Sequence, residues 1–333
     1  MKKLITAVLA LCLLAACLPV NGLAAGQVLY KGEITKRYGN SYTNVYARMD
    51  KDSKVIAHLN PGNKVSVLAL YPDWMEVRLS NGKTGYALRQ RIDITETIDP
   101  VSTPPYPVWP HPYYIEIDRT VEVKAEKSAD SKTLSTLTDG ARIAVIGCED
   151  GWAKVIWWRE FGYINTNDIS VLHSVAPDPQ TAGTDTPLAV FSSFYKDDID
   201  RINNLQVACN YISITMMPGD SMDFNDTVGP FNPGNGYRLA GVLKDGELTK
   251  GYGGGSCQVS STLWDTLMQL EGITVLIRKP HGNGGADYLP HGMDASSGRD
   301  DLNLIFRNDF DFPIRIEAAC HDLCLFVAIY KGE

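Results

Sequence analysis

The sequence predicts a multidomain chain: two small all-β barrels followed by an α+β domain. Three observations predict it. Short β-rich runs alternate with Asn, Gly and Pro turns over residues 27–95, with no strong helical pattern among them. The same layout returns over residues 114–172. From about Leu188 the pattern mixes helical and alternating stretches around a glycine-rich turn that ends in a cysteine.

The chain is taken in order from its start. Lys2-Lys3, the apolar run Leu4 to Leu18 and the small-residue exit Gly22-Leu23-Ala24-Ala25 predict a secretory signal over residues 1–25. Its apolar core is too short for a spanning helix with ordinary flanks, so the mature protein is expected outside the membrane. Leu14-Ala15-Ala16-Cys17 also resembles a bacterial lipoprotein box, in which Cys17 becomes the lipidated first residue. Pro19 and Ala24-Ala25 favour ordinary cleavage, and both readings stay open; membrane attachment is expected only with a lipid on Cys17. The 333 residues carry 31 Lys and Arg against 39 Asp and Glu, a net charge of −8, with no basic cluster beyond Lys2-Lys3. That balance argues against a nucleic-acid partner.

In residues 27–95 the β-rich runs are Val45 to Arg48, Lys64 to Leu68 and Met75 to Leu79, separated by Asn60-Pro61-Gly62-Asn63 and Ser80-Asn81-Gly82-Lys83. Gly62, Trp74 and Gly85-Tyr86 are matched by Gly140, Trp152 and Gly162-Tyr163, each pair 77 or 78 residues apart. Three landmarks at one offset indicate an internal repeat. The copies are joined by residues 96–113, where six prolines among residues 100–112 favour an extended connector. A second linker covers residues 173–187, and the last domain residues 188–333. Trp74 and Trp152 are expected in the barrel cores. Adjacent strand residues face opposite ways, so one of Trp157 and Trp158 is expected at the surface.

In the last domain Asp200 to Cys209 reads as a helix with Cys209 buried, Met217-Pro218-Gly219-Asp220 as a turn, and Asp223-Phe224-Asn225 as a short strand or loop. Four glycines among residues 251–255 then let the backbone turn tightly before Cys257. Val259, Leu263, Leu267 and Leu270 recur at helical spacing, which predicts an amphipathic helix from Gln258 to about Leu270. A strand is expected at Thr274 to Ile277 and a hairpin from Ile314–Glu317 and Leu325–Ile329. If Cys12 and Cys17 leave with the signal, Cys148, Cys209, Cys257, Cys320 and Cys324 remain, an odd number that leaves one thiol unpaired. A Cys320–Cys324 disulfide across the hairpin is plausible, whereas Cys320, His321 and Cys324 make a poor zinc site. No metal or organic cofactor is implied.

Cys257 at a helix start is the candidate nucleophile, because the unpaired amides there favour thiolate. The amides around Gly254, Gly255 and Ser256 are candidates for meeting the oxyanion formed when a thiolate attacks a carbonyl. A tight turn with a small buried cysteine explains the same residues without chemistry, and the local sequence leaves the two readings level. A phosphate loop is disfavoured, since no Gly-Lys-Ser/Thr follows the glycines.

Both N-terminal copies resemble bacterial SH3-like domains, on Leu59-Asn60-Pro61-Gly62, Trp74 and Gly85-Tyr86, and on Leu137-Thr138-Asp139-Gly140, Trp152 and Gly162-Tyr163. That resemblance implies binding to cell-wall peptide or glycan. From about residue 190 the chain resembles the VanW family. The shared pattern is Pro218-Gly219, Phe224-Asn225, Gly236-Tyr237, Gly253-Gly254-Gly255-Ser256-Cys257-Gln258, Pro280-His281, Gly292-Met293-Asp294-Ala295, and Asn308 with Pro313. Two departures stand out: Ser221-Met222-Asp223-Phe224-Asn225 replaces a usual Phe-Ser-Phe-Asn, and Lys279 stands where a second histidine is common.

The resemblance implies an L,D-transpeptidase that cross-links peptidoglycan through a Cys257 thioester, with stem peptides and glycan as partners. It assigns His281 as acid-base partner, though a histidine in a glycine-rich loop, taken alone, reads as a solvated residue. Asp294 then orients the imidazole, binds the substrate amine, or merely caps a turn; His291 is a spare base. Arg278 is expected to meet a stem carboxylate, with Tyr288 and Gln258 as further substrate or oxyanion contacts. Release of the thioester to water, making a hydrolase, and a non-enzymatic wall-binding role are the alternatives.

Overall fold

The computed structural model describes residues 26–35, 41–71, 74–98, 111–244, 247–281, 286–290, 292–299 and 302–333. The expected signal over residues 1–25 with Cys12 and Cys17, most of the proline-rich connector, Gly282 to Gly285 and His291 lie outside the described residues.

The first region is a seven-stranded antiparallel sheet that curls around Tyr30, Val45, Val67, Val77 and Ala87. Strand bounds follow the turn chemistry: Lys64–Leu70 starts after the Asn60–Asn63 turn, where Gly62 takes φ 89°, and Trp74–Arg78 pairs with Thr84–Leu88 across Gly82. The element order then recurs. Strands Thr43–Tyr46, Val55–Leu59, Trp74–Arg78 and Thr84–Leu88 have counterparts at Val121–Lys124, Thr133–Leu137, Trp152–Trp157 and Glu160–Asn165. In the second copy these strands and their neighbours divide into a five-stranded and a three-stranded sheet around a separate core.

The landmark glycines are small for a reason. A Cβ at Gly85 would stand 2.8 Å from the Val45 side chain, and one at Gly162 would stand 2.4 Å from that of Val123, so in each repeat the strands approach where only hydrogen fits. Trp74 and Trp152 are half-buried rather than core residues, Trp74 lying edge-on to Tyr46. Trp157 and Trp158 are both half-buried: the strand ends at Trp157, and Trp158 takes a positive φ in the turn, which breaks the alternation.

Among the described residues the C-terminal region holds three sheets and three α-helices. Pro187–Phe194, Cys324–Lys331, Ile314–His321 and Thr215–Met216 form a four-stranded sheet in that order; Ser221–Asp223, Leu304–Asn308 and Ile273–Arg278 form another; Leu239–Lys244 and Glu247–Tyr252 form a hairpin. Helix α1 is Ile199–Ile212, α2 is Phe224–Val228, and α3 is Ser256–Leu267. The apolar stripe of α3, Val259, Leu263 and Leu267, shares one core with Leu205 and Ala208 of α1 and with Leu325, Val327 and Ile329 of the sheet. Leu263 is wholly buried. Leu263→Ala should cost about 2–5 kcal/mol through lost transfer energy and the cavity left behind, read as a lower midpoint in urea unfolding with an unchanged slope.

Four expectations are corrected. Helix α3 begins at Ser256, not Gln258, which puts Cys257 inside the first turn, and it stops at Leu267. Helix α1 runs three residues past Cys209, because Ile212 continues the buried face. The Asp223–Asn225 stretch is neither strand nor loop throughout: Asp223 ends a strand and caps α2, its side chain accepting from Asp226 N. Cys320 and Cys324 are both free thiols. The turn at Asp322-Leu323 pairs Cys320 with Leu325 and His321 with Cys324, so side-chain alternation sends the two thiols to opposite faces. Cys320 instead lies 3.8 Å, sulfur to sulfur, from Cys209.

The regions meet at several places, among them Ala144 N donating to Ser192 Oγ at 3.1 Å and one segment that reaches the first sheet. Ala286, Tyr288, Leu289 and Met293 join the core of the first sheet, and the Arg159 guanidinium donates to Ala286 O at 3.2 and 3.3 Å.

Candidate active site

Gly255 opens α3 with φ 113°, a conformation that side chains rarely adopt, and the helix starts without a side-chain cap. Ser256 N turns back to Gly253 O and Gln258 N to Gly255 O, at 3.0 and 2.8 Å. Packing forces these bends. A Cβ on Gly253 would strike the Phe231 ring at 2.2 Å, and one on Gly254 would meet Gly241 O at 2.6 Å. The Gly254 carbonyl accepts from Asn204 Nδ2 at 3.0 Å, and the Asn204 amide oxygen accepts from Arg238 N at 2.7 Å, which ties the turn to α1.

Opposite the turn runs the strap Gly292 to Ser297. Ser260 Oγ donates to Ala295 O at 2.5 Å, Ala295 N donates to Ser261 Oγ at 2.9 Å, and Ser296 N donates to Lys279 O at 2.6 Å. The strap therefore lies between α3 and the residues following strand Ile273–Arg278. That sandwich places three side chains in line. Asp294 Oδ2 accepts from both His281 N and His281 Nδ1, at 2.5 and 2.7 Å. With Nδ1 engaged, Nε2 is the ring nitrogen left for the side-chain hydrogen bond that His281 shares with Cys257. Ser297 supplies two more donors to the sulfur, its N–H at 3.4 Å and its hydroxyl at 3.5 Å.

The electrostatics follow from this geometry. Burial opposes a charged sulfur, but the His281 hydrogen bond and charge, with the Ser297 donors, outweigh it and hold the Cys257 thiol down at about 7. Burial also opposes imidazolium, yet Asp294 and Cys257 together raise His281 to about 10. For Asp294 the desolvation is overcome by His281 and Arg278, and its carboxyl sits below the usual range. Between pH 7 and 10 the site therefore rests as thiolate and imidazolium. Ser297→Ala removes one donor to the charged sulfur, worth about 1.5 kcal/mol, and should raise the midpoint of the pH profile of iodoacetamide labelling by about one unit.

Cys257 is half-buried, and the His281 side chain is 14 % exposed, so the sulfur and ring sit at the surface end of the array. Asp294 sits behind them, 2 % exposed. Arg278 does not face a substrate as expected. It is fully buried behind Asp294, its Nε donating to Asp294 O and its Nη2 to Gly292 O, both at 2.9 Å, with its guanidinium 3.9 Å from the Trp264 ring centroid. Gln258 is likewise buried, donating to Ser193 Oγ and Phe194 O, so it anchors α3 rather than touching a ligand. Ser256 is spent on Gly253 O. Tyr288 is 7 % exposed; its ring stands edge-on to His281 at 6.4 Å between centroids and its hydroxyl lies 3.2 Å from Ser261 Oγ. Sequence reasoning missed Ser297, whose only signal is its place three residues after Asp294, and Asn204, which nothing local distinguishes.

Comparison with known proteins decides the family of this region. Residues 200–330 match the family model described as VanW like protein. The C-terminal region is a VanW-like domain. Residues 41–93 match the bacterial SH3 domain model. Over 141 residues the chain is 29 % identical to YoaR, an uncharacterized protein of Bacillus subtilis (strain 168), an alignment covering 42 % of this chain and 46 % of YoaR; the chain thus spans about half that relative's length. Among solved structures, NlpC2 of Trichomonas vaginalis overlays with TM-score 0.19 at 11 % identity, covering 57 % of this chain and 58 % of its own. An NlpC/P60 family protein of Bacillus cereus ATCC 10987 overlays with TM-score 0.16 at 14 % identity, covering 46 % and 60 %. Overlays this loose say nothing about chemistry. Within the VanW-like domain the ordered array is Cys257, His281 and Asp294. Among the described residues no group of His, Cys, Asp and Glu side chains is arranged to hold a metal ion.

Proposed function

We propose that this chain is an exported cell-wall enzyme, an L,D-transpeptidase that transfers an acyl group of a peptidoglycan stem peptide through a thioester on Cys257. The observation that supports this best is the single line from the half-buried Cys257 to imidazole to buried carboxylate. The VanW-like and SH3 matches favour a protein associated with the wall. We read residues 114–172 as a second SH3-like domain, on the recurrence of element order, and both barrels as holding the chain on peptidoglycan.

In this reading the Cys257 thiolate attacks the carbonyl carbon of the third stem residue, and the carbonyl π pair moves to oxygen. Ser256 N and Gln258 N are turned back onto Gly253 O and Gly255 O, so of these amides it is the Cys257 N–H, at the helix start, that meets the oxyanion. As the C–N bond breaks, the His281 imidazolium gives its proton to the departing amine of D-alanine. The amine of a neighbouring stem then attacks the thioester, His281 takes up its proton, and the thiolate departs with the sulfur pair. Asp294 stays ionised throughout and holds Nδ1–H, so Nε2 always faces the sulfur.

The test is incubation of the purified protein with disaccharide-tetrapeptide muropeptides, with products read by mass. A cross-linked dimer with released D-alanine is the expected result. A shortened or split stem assigns the thioester to water and a hydrolase. No product, with tight pelleting on cell walls, overturns the enzyme in favour of a binding protein.

A further inference from the structure

Arg278, the cation that the sequence offers for a substrate carboxylate, is fully engaged inside the protein. A different guanidinium stands at the glycine turn. Arg201, in the first turn of α1, packs its Cγ 3.1 Å from where a Cβ on Gly255 would lie. Its Nη2 donates to Gln258 Oε1 at 2.9 Å, and its Cζ stands 6.0 Å from the centroid of the Tyr288 ring. That ring has His281 at its edge, and its hydroxyl is joined through Ser261 Oγ to Cys257 O. Arg201 and His281 therefore both lie against the Tyr288 ring, and Arg201 also packs on the turn that carries the nucleophile.

Its charge is left open. Arg201 Nε is buried and has no hydrogen-bond acceptor, and among the described residues no carboxylate pairs with the guanidinium. The nearby acids are occupied elsewhere: Asp198 Oδ1 caps the amides of Asp200 and Arg201, and Asp200 pairs with Arg238 at 3.6 Å. A buried donor without an acceptor is costly to keep, the more so on a charged group. A cation that keeps such a donor against the turn and the Tyr288 ring that flank Cys257 and His281 is suited to receive an anion, and a planar guanidinium fits a carboxylate best.

We propose that Arg201 is the specificity-determining residue that binds a carboxylate of the substrate, so that the chain selects peptides ending in a free carboxylate next to the bond it opens. This rests on the proposed acyl transfer for the identity of the peptide, but binding can be measured without turnover. In a Cys257→Ala background, titration calorimetry should give at least fivefold tighter binding of a disaccharide-tetrapeptide than of its C-terminal amide. Adding Arg201→Gln should abolish that difference by weakening only the free acid, and Arg201→Lys should retain part of it. A missing preference overturns the assignment, as does equal weakening of both peptides by Arg201→Gln, which would mean that Arg201 only supports the turn. With Cys257 in place, Arg201→Gln should also lower the ratio of iodoacetate to iodoacetamide labelling about tenfold, whereas an unchanged ratio contradicts it. Failure of the transpeptidase reading is seen separately, as absence of products from the unsubstituted protein.

Discussion

Cys257→Ala should leave no measurable transfer or hydrolysis of muropeptide, while wall pelleting and the unfolding midpoint stay close to those of the unsubstituted protein. In the proposed mechanism the sulfur is the atom that bonds to the acyl group, and among the described residues no other thiol joins this array; Cys320 lies against Cys209 instead. Cys209 and Cys324 are buried, with thiols pushed well up by burial, so neither is ionised near neutral pH. Cys148 is exposed, but it lies in the strand Gly147–Glu149 of the second repeat, and its thiol is also raised by desolvation. Loss of a nucleophile of this kind costs on the order of 10⁶ in kcat. Stability is expected to hold because the sulfur is only half-buried and its hydrogen bonds to Ser297 are long. Product-mass assays with a sedimentation assay on purified walls check both halves of this expectation.

Asp294→Asn should be nearly as damaging, by a different route. The carboxylate holds Nδ1–H of His281 and thereby fixes which nitrogen faces Cys257; an amide in its place can also present N–H to the ring and favour the wrong tautomer. A loss of about 10⁴ in kcat is expected, by analogy with the corresponding change in serine proteases. The same substitution strips Arg278 of its counter-ion inside the protein, where breaking a buried pair costs about 3–5 kcal/mol. The lower end applies here. Asp265, 2 % exposed and without hydrogen-bond partners for its carboxyl oxygens, has its carboxyl pushed well up by burial, with Arg278 opposing and Asp294 adding to the rise. Without Asp294 it ionises more readily beside Arg278. The pH dependence has a definite sign. Asp294 is held below the unfolded carboxylate value of about 3.9, so its stabilisation is present above that pH and is lost as pH falls through the folded value. Asp294→Asn should therefore unfold more easily near neutrality and lose less on acidification, which urea titrations at pH 7 and pH 3 would register.

The glycine run and the helical spacing of Val259, Leu263 and Leu267 were legible because local chemistry dictates them: φ 113° at Gly255 and a stripe that must be buried. The barrel landmarks were legible for the same reason, since Gly62 and Gly140 occupy matching positive-φ positions. Arg278 was misread because its burial depends on a carbonyl from Gly292 and a ring from Trp264, which only tertiary packing brings to it. Cys320 and Cys324 looked like a pair because sequence proximity says nothing about register until the turn is fixed. Ser297 and Asn204 act through backbone and sulfur contacts across the domain, for which no spacing rule exists.

The most direct measurement is the rate of Cys257 labelling by iodoacetamide as a function of pH, followed by peptide mass, in the unsubstituted protein and in His281→Ala. The account predicts a thiolate that appears with a midpoint near pH 7 and changes reactivity again near pH 10, where His281 loses its proton. His281→Ala should move the first midpoint upward by more than one unit. A midpoint near the ordinary thiol value of about 8.5 in the unsubstituted protein, indifferent to His281→Ala, would contradict it.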